Sequence, residues 1–320
     1  MFRSYLQETL TPYTFTIREV SLIGNSIWKR NLSLYVMFAP VIVFFIAFKY
    51  MPMAGSIMAF KHYNFGDGIW HSPWVGLDNF RVLFSTPATI QIIRNTLLLS
   101  LLSIFIGFPF PILLAIMLNE VKAMWFKRLV QTLIFLPHFF SWIIVAGIIV
   151  TVFSQQSGVV NELWKSLFGH SFAFLYHEGS WLAIFVSSGI WKEAGFSAIV
   201  YLAALGSIDS SLYEAAGLDG ANKWKQIWHV TLPGISSTVV LMFILSMGRV
   251  MEVGFDQVFM LQNSTVSNIS EVISTYIYKI GLMGSQFSLT AAIGLFESIV
   301  SLILVIITNR IARKFGSGLW

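Results

Sequence analysis

Six long apolar runs, at about 32–52, 96–118, 129–153, 181–206, 234–260 and 288–309, alternate with polar segments along this chain. Each run meets the roughly 20 residues that a helix needs to cross a bilayer. Backbone groups in lipid must pair within their own segment, so the runs read as helices rather than strands. The pattern predicts an all-α polytopic membrane protein with six transmembrane helices. Pro40, Pro109, Pro111 and Pro137 fall inside runs and predict kinks.

Composition supports the same class. Of 320 residues, 56% are hydrophobic and 11% charged, against about 25% charged in an ordinary soluble domain. The 29 Phe, 11 Trp and 10 Tyr suit aromatic belts at membrane interfaces. With no cysteine, disulfides, thiolate metal sites and a cysteine nucleophile are excluded. Residues 1–31 hold Arg3, Arg18, Lys29 and Arg30 without an apolar h-region, so no cleavable signal peptide is expected.

Six spans place both termini on one side. The N-terminal segment, 119–128, 207–231 and the C-terminal tail hold twelve Lys and Arg, whereas the opposite loops hold five (Lys61, Arg81, Arg94, Lys165 and Lys279). The positive-inside rule therefore puts both termini in the cytoplasm. The net charge of +5 is a topology signal, and no nucleic-acid partner is expected. The chain divides into a cytoplasmic segment 1–31, a six-helix body 32–310 containing loop 207–233, and a tail 311–320. Within the first segment, Ile17 to Trp28 reads either as a helix lying on the membrane lipids or as a frayed tail. On the outer side, Gly66-Asp67-Gly68 and Ser72-Pro73 mark turns, and Glu271 to Lys279 reads as an interfacial helix.

The polar island Glu214–Pro233 has the most specific chemistry. Ser211 and Glu214 have the spacing of a capping box, opening a short helix through Ala215, Ala216 and Leu218. Asp219-Gly220 then supplies a turn, since glycine tolerates positive φ. A second helix is predicted from Asn222 to about His229, and Pro233 fits the first turn of the next membrane helix. Leu218, Trp224, Ile227 and Trp228 exceed what a solvated connector needs. They either form a docking surface or pack on the cytoplasmic end of the bundle.

Glu214-Ala215-Ala216, Asp219-Gly220-Ala221 and Leu232-Pro233, at these spacings, resemble the EAA signature of ATP-binding-cassette importer permeases, with Trp224 and Trp228 inside the loop. Trp228 stands where that family often has Phe. Lys49-Tyr50-Met51-Pro52, Trp74 to Phe80, Arg94-Asn95-Thr96, Leu118-Asn119-Glu120, Leu136 to Trp142, Trp191-Lys192, Tyr201 to Ala204 and Thr275 to Tyr278 are similar to the oligosaccharide branch of the LplB type. The resemblance implies a type I importer permease whose loop inserts into a homodimeric ATPase. It further implies a second homologous permease, an external solute-binding protein and an oligosaccharide cargo. An acidic cargo such as alginate is implied over a neutral oligosaccharide. The chain has no Gly-x-x-x-x-Gly-Lys-Ser/Thr loop. ATP and Mg therefore belong to the partner, and no cofactor is expected here.

Charges within the spans are costly and mark either a pathway or an internal pair. Lys192 and Glu193 lie in the fourth span. Arg249, Glu252 and Asp256 recur at i, i+3 and i+7 in the fifth, which predicts one helical face. Glu297 lies in the sixth, and Asn95 at the start of the second. These residues, with Trp142, Trp191 and Tyr201 as stacking platforms, line a substrate path. Alternatively, Arg249–Glu252 and Lys192 with an acidic neighbour are structural ion pairs. The intramembrane charges, two positive and four negative, do not themselves favour a polyanion. His138 reads as a hydrogen-bonding core residue, and no histidine pair has metal-ligand spacing. No catalytic constellation is recognisable, so a membrane-embedded enzyme acting on lipid-linked sugars is the weaker alternative. An ion-driven transporter would require an internal repeat that the chain does not show.

Overall fold

The computed structural model describes residues 31–314 and Gly318. The expectation of a helix over 17–28 lies outside these residues, as does half of the tail 311–320. The described residues divide into two units, one ending at Ser56 and the other beginning at Ile57. The first contributes most of helix α1, Leu32–Phe60. This helix is apolar along its length, contains Pro40 and includes a π-helical stretch at Ile46–Tyr50.

In the second unit a short helix, α2 (Asp78–Ser85), precedes α3 (Pro87–Glu120), which is followed by α4 (Met124–Phe139) and α5 (Trp142–Val152). Next come α6 (Val159–Phe168), α7 (Glu178–Leu205), α8 (Ser210–Leu218) and α9 (Lys223–Gly234). The chain then forms α10 (Ser236–Gly248), α11 (Phe255–Leu261), α12 (residues 273–283) and α13 (Phe287–Lys314). Among the described residues the only β pairing is an isolated bridge between Lys61 and Trp74. The molecule is an all-α polytopic membrane protein. Helices α1, α3 and α13 are each long and apolar enough to cross a membrane, and three bent helix pairs raise the total to six.

Prolines act unequally. At Pro109 and Pro111 the α3 ladder is interrupted only at Phe108, and the helix continues. At Pro137 the third span breaks, and α4 and α5 diverge by 101°. Pro137 opens a 3-10 turn, and Ser141 then caps α5 by accepting from the Ile144 amide at 3.4 Å. The predicted fifth span is also discontinuous. Helix α10 stops at Gly248, six irregular residues follow, and α11 starts at Phe255.

Lipid offers little hydrophobic drive for helix association, so tight contact and polar ties hold such a bundle. Helix α7 is its axis: Ala194, Ala198 and Gly195 present small surfaces to neighbouring helices, and Ala198 is fully buried. A Cβ on Gly195 would strike the Ile134 carbonyl of α4, so only glycine permits this approach. At the end remote from α8 and α9, buried Trp181 stacks on Phe185 and donates from Nε1 to the Leu261 carbonyl at 2.8 Å. Asn95 is a structural tie, donating to the carbonyls of Asn268 and Glu271 at 2.8 and 3.0 Å. The turns expected at 66–68 and 72–73 are present, where the Ser72 hydroxyl donates to the Gly68 carbonyl at 2.6 Å.

Helix α12 departs from expectation. Ile273 and Thr275 are buried, and the Ile273 amide donates to Thr96 Oγ1 of α3 at 2.9 Å. Its apolar residues pack on α3 and α13, so the segment belongs to the bundle and not to the lipid surface.

Candidate functional site

Two features stand out, an exposed aromatic loop at one end of the bundle and a cavity within it. The loop starts at Asp209, whose Oδ1 accepts from the Ser211 amide at 2.9 Å as the N-cap of α8. The same hydrogen bond holds its exposed carboxyl below the usual carboxylate range. This corrects the capping box: Ser211 lies inside the helix and Glu214 is exposed. Asp209 wins because its charged oxygen meets the orphan amides and the positive end of the helix dipole together.

Helix α8 ends in a Schellman turn. The Ala221 amide reaches the Ala216 carbonyl at 2.9 Å and the Gly220 amide reaches Gly217 at 3.1 Å, with Gly220 at φ +75°. Asn222 then caps α9, its side chain accepting from the Lys225 amide at 3.0 Å. The two-helix form is as expected, with one difference at Pro233. It sits in the last turn of α9, not the first turn of α10. A π-helical stretch at Ile227–Thr231 precedes it, and the chain turns by 61° into α10 at Ile235.

The loop's apolar residues divide into two sets. Ile227 and Leu232 pack on the cluster of Ala115, Ala198, Leu205 and Ile235. Leu218, Trp224 and Trp228 are 90%, 72% and 64% exposed, with the two tryptophans one helical turn apart on α9. The frame is fixed from behind by the Tyr213–Thr231 hydroxyl pair at 3.0 Å and by Lys223 Nζ to Glu120 Oε2 at 2.8 Å. Ala215 and Asp219 are exposed, while Ala216 and Ala221 are half-buried.

The cavity, of about 310 Å³ and open on one side, is bounded by α3, α5, α7, α10 and α11 and lined by Trp142, Glu193, Tyr201 and Gln257 with Ser103, Ser197 and Ser246. Lys192 lies behind it. Its ammonium donates to the His138 carbonyl at 2.9 Å and to Glu193 Oε1 at 3.0 Å, and sits 5.5 Å from the centroid of the Trp142 ring. Glu193 Oε2 is 2.8 Å from His138 Nδ1, and the imidazole stacks on Phe196. His138 hydrogen-bonds as expected but is half-buried and not a core residue, and Lys192 occupies a carbonyl freed by the break at Pro137. Replacing Lys192 with methionine strands that carbonyl. The expected loss is about 1–3 kcal/mol, read as a lower unfolding temperature of the purified transporter.

Trp142, Glu193 and Tyr201 are therefore brought together, but Trp191 is not. It faces a separate hollow with Ile148, Ile149 and Ile184. Nor do Arg249, Glu252 and Asp256 share a helical face, because the helix breaks between them. Gly248 and Gly254 flank the break, where Val250, Met251 and Val253 are buried and the three charged residues are exposed. Among the described residues no side-chain ion pair joins Arg249 to Glu252; their link is the Glu252 amide to the Arg249 carbonyl at 2.9 Å. Glu297 is half-buried on α13. Gln257 and the three cavity serines escaped sequence reading because isolated Ser and Gln in apolar runs carry no periodic signal. Among the described residues no cluster of His, Asp and Glu is arranged to hold a metal ion.

Residues 107–318 match the model of the binding-protein-dependent transport system inner membrane component family. The chain is 44% identical to the polygalacturonan/rhamnogalacturonan transport system permease protein YteP of Bacillus subtilis strain 168 over 88% of each chain. It is 41% identical to protein LplB of the same organism over 90% of each. A chain in the crystal structure of a bacterial importer of the acidic polysaccharide alginate aligns with a TM-score of 0.83 at 42% identity, covering 90% of this chain and 98% of that one. A chain in the crystal structure of a bacterial alginate ABC transporter in complex with an alginate pentasaccharide-bound periplasmic protein gives 0.84 at 42% identity, covering 92% of this chain and 98% of that one. The chain belongs to the binding-protein-dependent transport system inner membrane component family, as the permease subunit of a carbohydrate ABC importer.

Proposed function

We propose that this permease works by alternating access, imports an acidic oligosaccharide and takes its energy from a separate homodimeric ATPase that holds ATP and Mg. Residues 32–310 form the membrane body and 311–320 a cytoplasmic tail, with both termini and loop 207–233 in the cytoplasm. The observation that carries this reading is the exposure of Leu218, Trp224 and Trp228 on a frame anchored through Ile227 and Leu232 and by the Tyr213–Thr231 and Lys223–Glu120 ties. Exposed aromatics on a rigid support are what a partner cleft takes up. ATP binding draws the ATPase halves together, and α8 and α9 transmit that motion as a rigid body to α7 and α10.

Arg249, Glu252 and Asp256 cannot face lipid without large cost. Their exposure fits a surface shared with a second permease, around a water-filled path fed by the external solute-binding protein. The acidic cargo is supported by the relatives named for polygalacturonan/rhamnogalacturonan and alginate.

Replacing Trp224 and Trp228 together with alanine should leave the permease folded, because exposed side chains change stability by only about 0.5 kcal/mol. The double variant is expected to lose the co-purifying ATPase and cargo import. Stoichiometric ATPase with normal import would overturn the docking role.

A further inference from the structure

We propose that the cavity grips a cargo sugar by its hydroxyl edge and turns uronate carboxylates outward, with Glu193 setting that orientation. The proposal rests on the carbohydrate cargo proposed above and assigns the chemistry of one site to it.

The lining is rich in acceptors and lacks a free cation. Both Gln257 side-chain N–H groups are engaged, by the Phe185 carbonyl at 2.7 Å and Ser188 Oγ at 3.3 Å, which leaves Oε1 to accept. Ser246 donates to the Met242 carbonyl at 2.9 Å and keeps its lone pairs. Each Glu193 oxygen holds one partner, Lys192 or His138, and a carboxylate oxygen accepts two bonds. Tyr201 is 2% exposed and lines the cavity, and its hydroxyl makes no hydrogen bond among the described residues. A phenol hydroxyl both donates and accepts, so this group is open to a cavity occupant.

Trp142 adds a ring face, and Ser103 and Ser197 add rotatable hydroxyls. This set suits a sugar ring, whose hydroxyls both donate and accept. A volume of about 310 Å³ lies at the lower end of the ~300–1,000 Å³ range of small-ligand sites, enough for a short stretch of cargo. A carboxylate would fare poorly there. It would meet the Glu193 oxygens at the cavity wall, while the Lys192 ammonium lies behind them, already engaged by the His138 carbonyl, Glu193 and the Trp142 face. Like charges at close range repel, the more so away from water.

The test compares import of a linear trigalacturonate and of its carboxyl-reduced galactose trimer by the complete reconstituted transporter. Glu193→Gln leaves Lys192 uncompensated beside the cavity. The ratio of kcat/KM for acidic over neutral trimer is expected to rise at least tenfold. Tyr201→Phe keeps the ring and its packing on Phe108 and should lower import of both trimers about fivefold, at an unchanged ratio. A ratio indifferent to Glu193→Gln, with trigalacturonate still imported, overturns the orientation alone. Unchanged import by Tyr201→Phe also contradicts the site, even if the Glu193 variant fails to assemble. A wild-type transporter that imports neither trimer removes the cargo assignment and this proposal with it.

Discussion

Replacing Gly220 with valine is expected to cut cargo import about 5- to 30-fold while the permease still inserts in the membrane. Gly220 sits at φ +75° in the turn between α8 and α9, and nothing lies within 4 Å of a Cβ placed there. The penalty is therefore one of backbone conformation and not of crowding. A side chain in the left-handed region costs about 1–2 kcal/mol, more for a β-branched residue. That energy is a factor of roughly 5–30 in a two-state population, here the fraction of loops with Trp224 and Trp228 correctly presented. Gly217 is the control: it too has open space, but a helical conformation. Gly217→Ala should therefore import normally. Equal loss in both variants, measured as import per unit of membrane-inserted permease, would show that loop volume matters and the turn does not.

A second large effect is expected at Gly195, far from the loop. Alanine there drives its methyl onto the backbone carbonyl of Ile134, which cannot rotate away as a side chain would. Overpacking costs about 1–3 kcal/mol, and a rigid backbone obstacle puts this site at or above the top of that range. Separation of α7 from α4 would also disturb the Lys192–His138 tie one turn away. Gly195→Ala should lose most of its monodisperse, detergent-stable protein in size-exclusion profiles. Gly147→Ala, with no atom within 4 Å, should match the wild type. Equal profiles for the two would contradict the close packing of α7 on α4.

Much of the architecture was legible because long apolar runs and charge-poor spans are global signals. Loop 207–233 was legible for a different reason. Gly220 and Asn222 are demanded by local backbone geometry, and such demands leave residue types at fixed spacings. The failures also have physical causes. Asp209 and Ser211 are both good N-caps, two residues apart, and only the path of the chain out of α7 decides between them. The charges at 249, 252 and 256 have helical spacing, but spacing says nothing about whether a helix runs through them. Gly248 and Gly254 were the available sign that it does not. The cavity was only half readable: Trp142, Glu193 and Tyr201 announce themselves by type, while Gln257 and the serines become a site only when the helices converge.

That an exposed aromatic loop of this chain is the contact through which an ATPase drives it can be probed by crosslinking. The chain contains no cysteine, so Trp224→Cys introduces a single attachment point for a benzophenone-maleimide. Irradiating membranes that carry the complete transporter should join the permease to its ATPase from position 224. The same label at Trp191→Cys, inside the membrane body, should not. Absence of an ATPase adduct from position 224, in membranes where the assembled transporter still imports cargo, would show that this loop is not the ATPase contact.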